Sequence, residues 1–580
     1  MNTKLPSTER DKLQLKLERL SHRKDTWREM RPARRLDYLR DMLTRLQAID
    51  HQSWGEASSA RQGYDPLAQT GEVIAASEEM VNAAIIAGTL RALIRTYSSI
   101  MKRGAPPQVS SRPSSVGPQH IASVFPFDLA DKMSPYGLAK IQGEVWTTGG
   151  APIQRHSSAG RLSLVLGAGN QSFLAFGDVV HEMFVKGNVT VLKHHPVRDF
   201  SAPVYEALFS ELIKDGFFTS TLGDVKLSAW LCEHPLIDAV HMTGGAATHD
   251  AIVWGADPEA QSKNKAADAP VLKKPITSEL GCITPWIICS GVEWTDAELA
   301  RHASQLAKAF VTQNSCNCLS PKLVVLDEDW PQSERFINYL RAELRKVKSP
   351  PPYYPGSHER FRGFKGAYPD EMLELIEAGS ASSRDDHGLG DPLGWLLVHM
   401  NSDSDPYALQ NEAFSPVLAI YKMSGENRCE VFLPSAVSFV NEEVWGTLSC
   451  TVLFHDALQA SHTETLERAI SDLRYGSVAI NLWTSIVYGL DGCTWGAFPG
   501  EPLNNVASGI GVVRNAFLIE NVEKSVLRSR FVHPGQLLVG EDGGDVLSAK
   551  QYRAISKVAL KPSLTSIFKL IWHMIFSRPS

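Results

Sequence analysis

TQNSCNCLSPKLVVL, residues 312–326, sets two cysteines two positions apart, just ahead of a proline and a strand-like apolar run. As zinc ligands, Cys316 and Cys318 would need two further Cys or His residues at ligand spacing, and no compact C-x-x-C or H-x-x-x-H partner lies nearby. A disulfide between them would close a very small, strained ring. Two readings remain: an inert buried thiol acting as a small hydrophobe, or a nucleophile with a bystander.

Two other stretches bear on the choice. SELGCITPW, residues 278–286, places Glu279 immediately before an apolar strand, where a carboxylate has no obvious solvent-facing reason to be. Such a Glu caps a strand edge or, beside a thiol, serves as a general base. LVLGAGNQSF, residues 164–173, ends a buried strand in a Gly-rich turn at Asn170. An Asn there forms turns, and its side-chain amide can also donate to a developing oxyanion.

The 580 residues exceed the size at which one hydrophobic core stops growing, so two or more domains are expected. The chain is 43% hydrophobic and 21% charged with a net charge of -6, ordinary for a soluble globular protein and without the basic excess that marks a nucleic-acid partner. The N-terminus is charged from its first residues and shows no apolar signal region. The cysteines are otherwise scattered singly, which is reduced, cytoplasmic usage.

Leu13, Leu17 and Leu20, then Leu36, Leu39, Met42, Leu43 and Leu46, recur at helical spacing among dense charge and predict amphipathic N-terminal helices. A third long helix is predicted from Ser77, and the Pro/Ser/Gly-rich segment 103–120 is predicted to be loop. From residue 162 short apolar runs alternate with helical patterns, and a second alternating block begins near residue 285. Alternation of this kind predicts βαβ units in sheets covered on both faces, hence two α/β units.

Taken in order, these fragments resemble the aldehyde dehydrogenase superfamily from about residue 26 to about residue 520. DTWREMRPARRLDYLRDMLTRL resembles the family's N-terminal helices, LVLGAGNQSF its strand ending in a catalytic Asn, and GNVTVLKHHP its Gly-Asn, strand, Lys segment. HMTGG resembles the F-T-G-S turn, SELGC the E-L-G-G box, NSCNCLSPK the G-Q-x-C box, NEAFSP the E-x-F-G-P box, and TWGAFPG the late aromatic-glycine segment. Ser315 and Cys316 replace the Gly and Gln before the nucleophile, Cys282 replaces a Gly, Gly245 a Ser and Ser415 a Gly, which marks a distant branch.

The resemblance implies two doubly wound α/β domains, cofactor and catalytic, with bridging oligomerisation strands and N-terminal helices. Residues 1–278 would hold the helices and the dinucleotide-binding domain, with a strand excursion near 140–155. Residues 279–490 would form the catalytic domain, 491–530 would return to the cofactor and bridging region, and 531–580 would form a C-terminal extension. It implies catalytic roles for Cys318, Glu279 and Asn170, with Cys316 standing where Gln is usual. It implies NAD or NADP binding, with a lean to NAD, through Lys193, Thr243, Gly244, Gly245, Glu412 and Phe414. No metal is implied.

The implied reaction is NAD(P)-dependent oxidation of an aldehyde to a carboxylic acid by a homodimer or homotetramer. An acylating, coenzyme A-dependent dehydrogenase and a catalytically inactive scaffold are the alternatives, and Glu279 favours hydrolysis over the first. In the tail, Thr565, Lys569, His573 and Ser577 make one narrow polar stripe on a helix, and the rest of 565–577 is apolar. The tail is expected either to dock on protein or to lie at a membrane interface, since its apolar run is too short to span a bilayer.

Overall fold

Two sheets of unequal size organise the chain in the computed structural model, which describes residues 7–150, 160–377, 391–532, 547–563 and 570. The strands Leu162–Leu166 (LSLVL) and Val189–Lys193 (VTVLK) are buried at every position. Continuous runs rich in branched apolar residues suit parallel strands covered on both faces. The smaller sheet has the order Gly509–Ile510, Ile276–Glu279, Ala239–Thr243, Leu162–Leu166, Val189–Lys193, Phe218–Thr221. Every pairing in it is parallel except that of the edge strand Gly509–Ile510.

From Leu162–Leu166 the chain winds outward through Phe218–Thr221, then returns to wind the other way through Ala239–Thr243 and Ile276–Glu279. This reversal opens a crevice at the carboxyl ends of Leu162–Leu166 and Ala239–Thr243, where ligands bind in doubly wound sheets. Asn170 and the turn Thr243–Gly245 follow those two ends directly.

The larger sheet has eleven strands. Its parallel centre runs Ser477–Ile480, Ser449–Leu453, Pro285–Ile288, Leu323–Asp327, Val417–Met423, Trp395–Met400. Val522–Arg528 joins it beside Ser477–Ile480, and Gln142–Thr147, His120–Phe125 and Ser110–Pro113 then continue it as antiparallel strands. Residues 110–147 are therefore stitched to the second α/β unit of the same chain through Val522–Arg528. Lys524 secures the seam: its buried ammonium donates to the carbonyls of Ile470 (2.9 Å) and Ser471 (3.0 Å) at the end of helix Asp456–Asp472.

The N-terminal helices Ser7–Arg28 and Pro32–Leu46 present the apolar spacing that predicts them. Trp27 is fully buried and donates its indole N–H to Met183 O at 3.1 Å, while Arg35 donates to Trp27 O at 2.7 Å. Tyr97 donates to Phe184 O at 2.7 Å. These bonds tie the helices to the segment that covers the small sheet.

Three expectations need correction or completion. The segment 103–120 is not all loop, because Ser110–Pro113 pairs with His120–Ser123 as a hairpin. All four of its residues are exposed, so no apolar pattern announces it. The helix expected from Ser77 begins at Gln69 and runs to Arg103, starting without a side-chain cap. It is long and apolar enough to cross a membrane, but it packs inside the protein against helices Pro32–Leu46, His51–Arg61 and Ala549–Leu560. The last of these opens with a capping box of Ser548 and Gln551 and is held by an Arg553–Glu72 ion pair of 2.8 Å. Apart from Leu570, the apolar stripe of 565–577 lies outside the described residues.

Trp146, fully buried in Gln142–Thr147, fills the junction between the excursion and the large sheet. Trp146→Ala is expected to destabilise the protein by about 3–5 kcal/mol, as large-to-small changes of buried aromatics do. Urea unfolding measures this, and a change under about 1 kcal/mol would show that the junction does not depend on this side chain.

Candidate active site

Helix Asp296–Val311, opened by a Thr295–Glu298 capping box, delivers the chain to a turn in which Gln313, Asn314 and Ser315 have φ of 55°, 54° and 60°. Three successive non-glycine residues in the left-handed region are unfavourable, by roughly 1–2 kcal/mol each, and persist where neighbours over-determine them. Here Ser315 donates to Phe310 O at 2.6 Å and Gln313 donates to Asn170 O at 2.9 Å. The second bond fixes the turn after Leu162–Leu166 to the loop that carries the cysteines.

Beyond the turn the two thiols part company. Cys316 lies against Val197, Tyr353 and Phe414, with its sulfur 3.5 Å from Phe414 O, and burial pushes its pKa up to about 12. Cys318 faces the other way, towards Glu279. Its loop is anchored by Thr284 Oγ1 donating to Cys318 O at 2.7 Å and by the Trp483 indole donating to Leu319 O at 2.8 Å. Lys322 adds bonds to Asn317 O at 2.8 Å and Ser320 O at 3.0 Å.

Glu279 ends Ile276–Glu279 and is 4% exposed. Burial first, then the charge of Asp178, push its pKa up to about 8, against hydrogen-bond donation from Cys318 and Trp495 and with a further push from Glu412. The Trp495 indole nitrogen faces the carboxyl but stops short of good hydrogen-bond geometry. Burial and then the Glu279 charge raise the Cys318 thiol well above its ordinary value, with Lys322 opposing them. The resting pair is thus a thiol beside a carboxyl that titrates just above neutrality.

Glu412 reaches into the same region. It accepts from Cys282 N at 3.1 Å and pairs with Lys322 at 3.3 Å. A Cβ on Gly281 would fall 1.8 Å from a Glu412 oxygen, so a side chain there would displace the Glu412 carboxylate, whereas the next position accommodates Cys282. Phe414, at φ 38°, turns its ring onto Tyr354 and gives its carbonyl to Arg360 at 3.0 Å.

Of the other positions singled out in the sequence, Gly245 caps helix Ala246–Trp254 with no side-chain bond, and a Cβ there would meet nothing within 4 Å. The helix N-terminus therefore faces open space that a diphosphate can approach. Gly244 N donates to Glu279 O at 3.0 Å, and Thr243 donates to Asp178 at 2.9 Å. Lys193 is buried at the end of its strand, its pKa lowered by burial while Asp224 pulls the other way. Arg198 turns inward, donating to Gly169 O at 3.1 Å and also to Asn170 O.

The structure brings Cys318, Glu279, Glu412 and the Asn170 main chain to one place. Lys193 and the Thr243 turn lie at the same end of the small sheet. Asp178, Lys322, Tyr488 and Trp495 complete the surroundings and were not singled out in the sequence. A carboxylate inside the apolar run FGDVV was the one signal available for Asp178. A narrow cleft lined by Phe173, Gly177, Asp178, Val513 and Arg514 leads to Tyr488. Tyr488 feels the charges of Glu279, then Cys318, and its hydroxyl has no partner. Among the described residues no group of three or more His, Cys, Asp or Glu is placed to hold a metal ion.

The model of the aldehyde dehydrogenase family matches residues 162–491. The chain is 25% identical over 309 residues to a 4-trimethylaminobutyraldehyde dehydrogenase of Homo sapiens, covering 51% of this chain and 55% of that protein. It is 26% identical over 262 residues to a mitochondrial benzaldehyde dehydrogenase of Antirrhinum majus, covering 44% and 45%. The chain spans about half the length of the curated relatives it matches. Among solved structures, an NADP-dependent glyceraldehyde-3-phosphate dehydrogenase from Bacillus halodurans complexed with NADP superposes with a TM-score of 0.58 at 17% identity, over 90% of this chain and 91% of that one. A betaine aldehyde dehydrogenase from Staphylococcus aureus in complex with NAD+ gives 0.58 at 16%, over 88% of each. At such identities the likeness is one of fold: an α/β architecture shared with these enzymes.

The Glu279 pKa gives a sign-definite expectation. Below its ordinary value of 4.5 the carboxyl is protonated both folded and unfolded. As pH rises the unfolded chain ionises first, so the folded state loses stability until Glu279 itself ionises near pH 8. Glu279→Gln is therefore expected to gain stability relative to the native protein across that window, by on the order of a few kcal/mol. Urea midpoints at about pH 5 and about pH 9 measure it, and a pH-independent difference would mean that the carboxyl is not held in this environment.

Proposed function

The chain belongs to the aldehyde dehydrogenase family, and on that premise we propose that it oxidises an aldehyde to a carboxylic acid with a nicotinamide dinucleotide, using Cys318 as nucleophile and Glu279 as base. The observation that carries this reading is the meeting of Cys318 and Glu279 in one buried site, with the Glu279 pKa raised to about 8. A carboxyl so tuned can accept and release protons near neutral pH.

In the proposed sequence Glu279 takes the thiol proton as Cys318 Sγ bonds to the aldehyde carbon. The Cys318 backbone N–H and the Asn170 side-chain amide hold the resulting oxyanion. A nicotinamide held by this chain would supply the acceptor for the hydride lost from the former aldehyde carbon. Glu279, having released the first proton to solvent, then takes one from the water that attacks the thioester, and the Cys318 thiolate departs.

The open helix start at Gly245, with Thr243 and Gly244 behind it, would take the diphosphate, and Lys193 and Glu412 would reach the two riboses. Phe414 sits beside Glu412 in the same turn. Arg198 commits its donors to the Asn170 turn and to Ser58, and His194 and His195 are held neutral by burial with pKa values of about 4. Lys193 remains the cation at the ribose it would reach, and the proposed cofactor is NAD or NADP, with NAD favoured.

Stopped-flow measurement of NADH with a panel of aldehydes tests the reading. Cys318→Ala should give no NADH burst, Cys316→Ala should retain a substantial fraction of turnover, and Glu279→Gln should keep the burst while steady turnover falls on the order of 100-fold. If Cys316→Ala is the dead variant and Cys318→Ala is active, the assignment of the nucleophile is wrong.

A further inference from the structure

Resting on the hydrolytic role proposed for Glu279, we infer that Asp178, His241 and Thr277 form a path that carries the protons collected by Glu279 to solvent beside Lys186. The need for such a path follows from burial. Glu279 collects protons in every turnover, yet it is 4% exposed and cannot pass them directly to bulk water.

The path is laid out by strand register. His241 pairs with Thr277, and Thr243 pairs with Glu279, across the parallel strands Ala239–Thr243 and Ile276–Glu279. Residues two apart share a face, so these four polar side chains form a square on one side of the small sheet. Neighbouring strands lie about 4.8 Å apart, which sets Thr243 against Glu279. The element covering the square is helix Leu174–Val180 with its π-helical continuation His181–Val185. π-Turns of this kind recur at functional sites.

From that cover Asp178, 3% exposed, accepts from Thr243 at 2.9 Å and lies 3.5 Å from His241 Nε2. The His241 ring is 2% exposed, and its Nδ1 is 2.9 Å from Thr277 Oγ1. Thr277 is partly exposed and accepts from Lys186 Nζ at 3.3 Å, and the Lys186 side chain is 32% exposed. Buried carboxylate, imidazole, hydroxyl and surface therefore follow one another without an apolar break. At 3.5 Å the Asp178–His241 step is just beyond hydrogen-bond length, so the ring must move in slightly to take the proton.

The other charged and titratable groups facing His241 are His181, Glu182 and Lys186. Burial drives the His181 pKa down to about 3, so it stays neutral. Glu182 is already bound to Lys186 at 2.7 Å and to Asn188 at 2.8 Å. His241 is the one imidazole here with a carboxylate on one nitrogen and a hydroxyl on the other. In each transfer the Thr243 hydroxyl takes the proton from Glu279 as it gives its own to Asp178, the proton on Asp178 passes to Nε2 as Nδ1–H is released through Thr277, and a ring turn or tautomer change resets the pair.

The experiment compares native protein, His241→Ala and Thr277→Val in stopped-flow and steady-state assays with aldehyde and NAD, in water and in deuterium oxide. The expected result is an unchanged NADH burst and a steady turnover lowered on the order of 100-fold in His241→Ala. Added imidazole should restore about a tenth of that loss or more, and Thr277→Val should show an enlarged solvent isotope effect. A folded His241→Ala with native turnover, or one whose loss imidazole does not relieve, overturns the path. Should His241→Ala not fold, Thr277→Val decides: native turnover with a native isotope effect overturns the inference, and slowed turnover with an enlarged effect upholds it. Absence of NADH from the native protein with every aldehyde would instead overturn the parent reading and this one with it.

Discussion

Keeping the Glu279 carboxyl out of water, against the thiol of Cys318, is the constraint around which the site is built. A carboxyl in that position resists ionisation, and Asp178 and Glu412 add to the resistance. The protein relieves the crowding with opposite charge and donors placed around the rim. Lys322 sits between Glu412 and the Cys318 loop, and Thr243 donates to Asp178. Removing any of these leaves a buried acceptor without its partner, which is costlier than the bond it replaces is strong.

The two sheets meet their obligations differently. The small one supplies a crevice, because its winding order reverses between Leu162–Leu166 and Ala239–Thr243. The large one supplies a rigid floor for the nucleophile loop, since Leu323–Asp327 follows Cys318 almost at once and lies between Pro285–Ile288 and Val417–Met423. Glu279 and Cys318 thus arrive from separate sheets. Their meeting is held by short-range contacts such as the Gln313–Asn170 bond and the Thr284–Cys318 bond.

How much of this could be read beforehand divides along physical lines. The cysteine pair, Glu279 and Asn170 stood out because each breaks a local pattern, a polar or reactive residue at the edge of an apolar run, while the choice of Cys318 over Cys316 and the role of Glu412 came from their likeness to the family's boxes. The buried strands announced themselves by composition, and the N-terminal helices by spacing. Asp178, Lys322 and Tyr488 did not stand out, because what they do depends on which strand or loop lies across from them, and register is invisible in a single chain. Ser110–Pro113 escaped notice for the opposite reason: it buries nothing, so it carries no apolar period. The start of the long helix at Gln69 was missed because it has no side-chain cap to mark it.

The seam between Gln142–Thr147 and Val522–Arg528 joins segments separated by most of the sequence. Contacts of such long span form late, since a large loop must close before they offer any stabilisation. During synthesis the strand bearing Val145 and Trp146 can pair at once with His120–Phe125, but its other edge stays open until Val522–Arg528 is made. Completion of the large sheet at this seam therefore waits until Val522–Arg528 has been made.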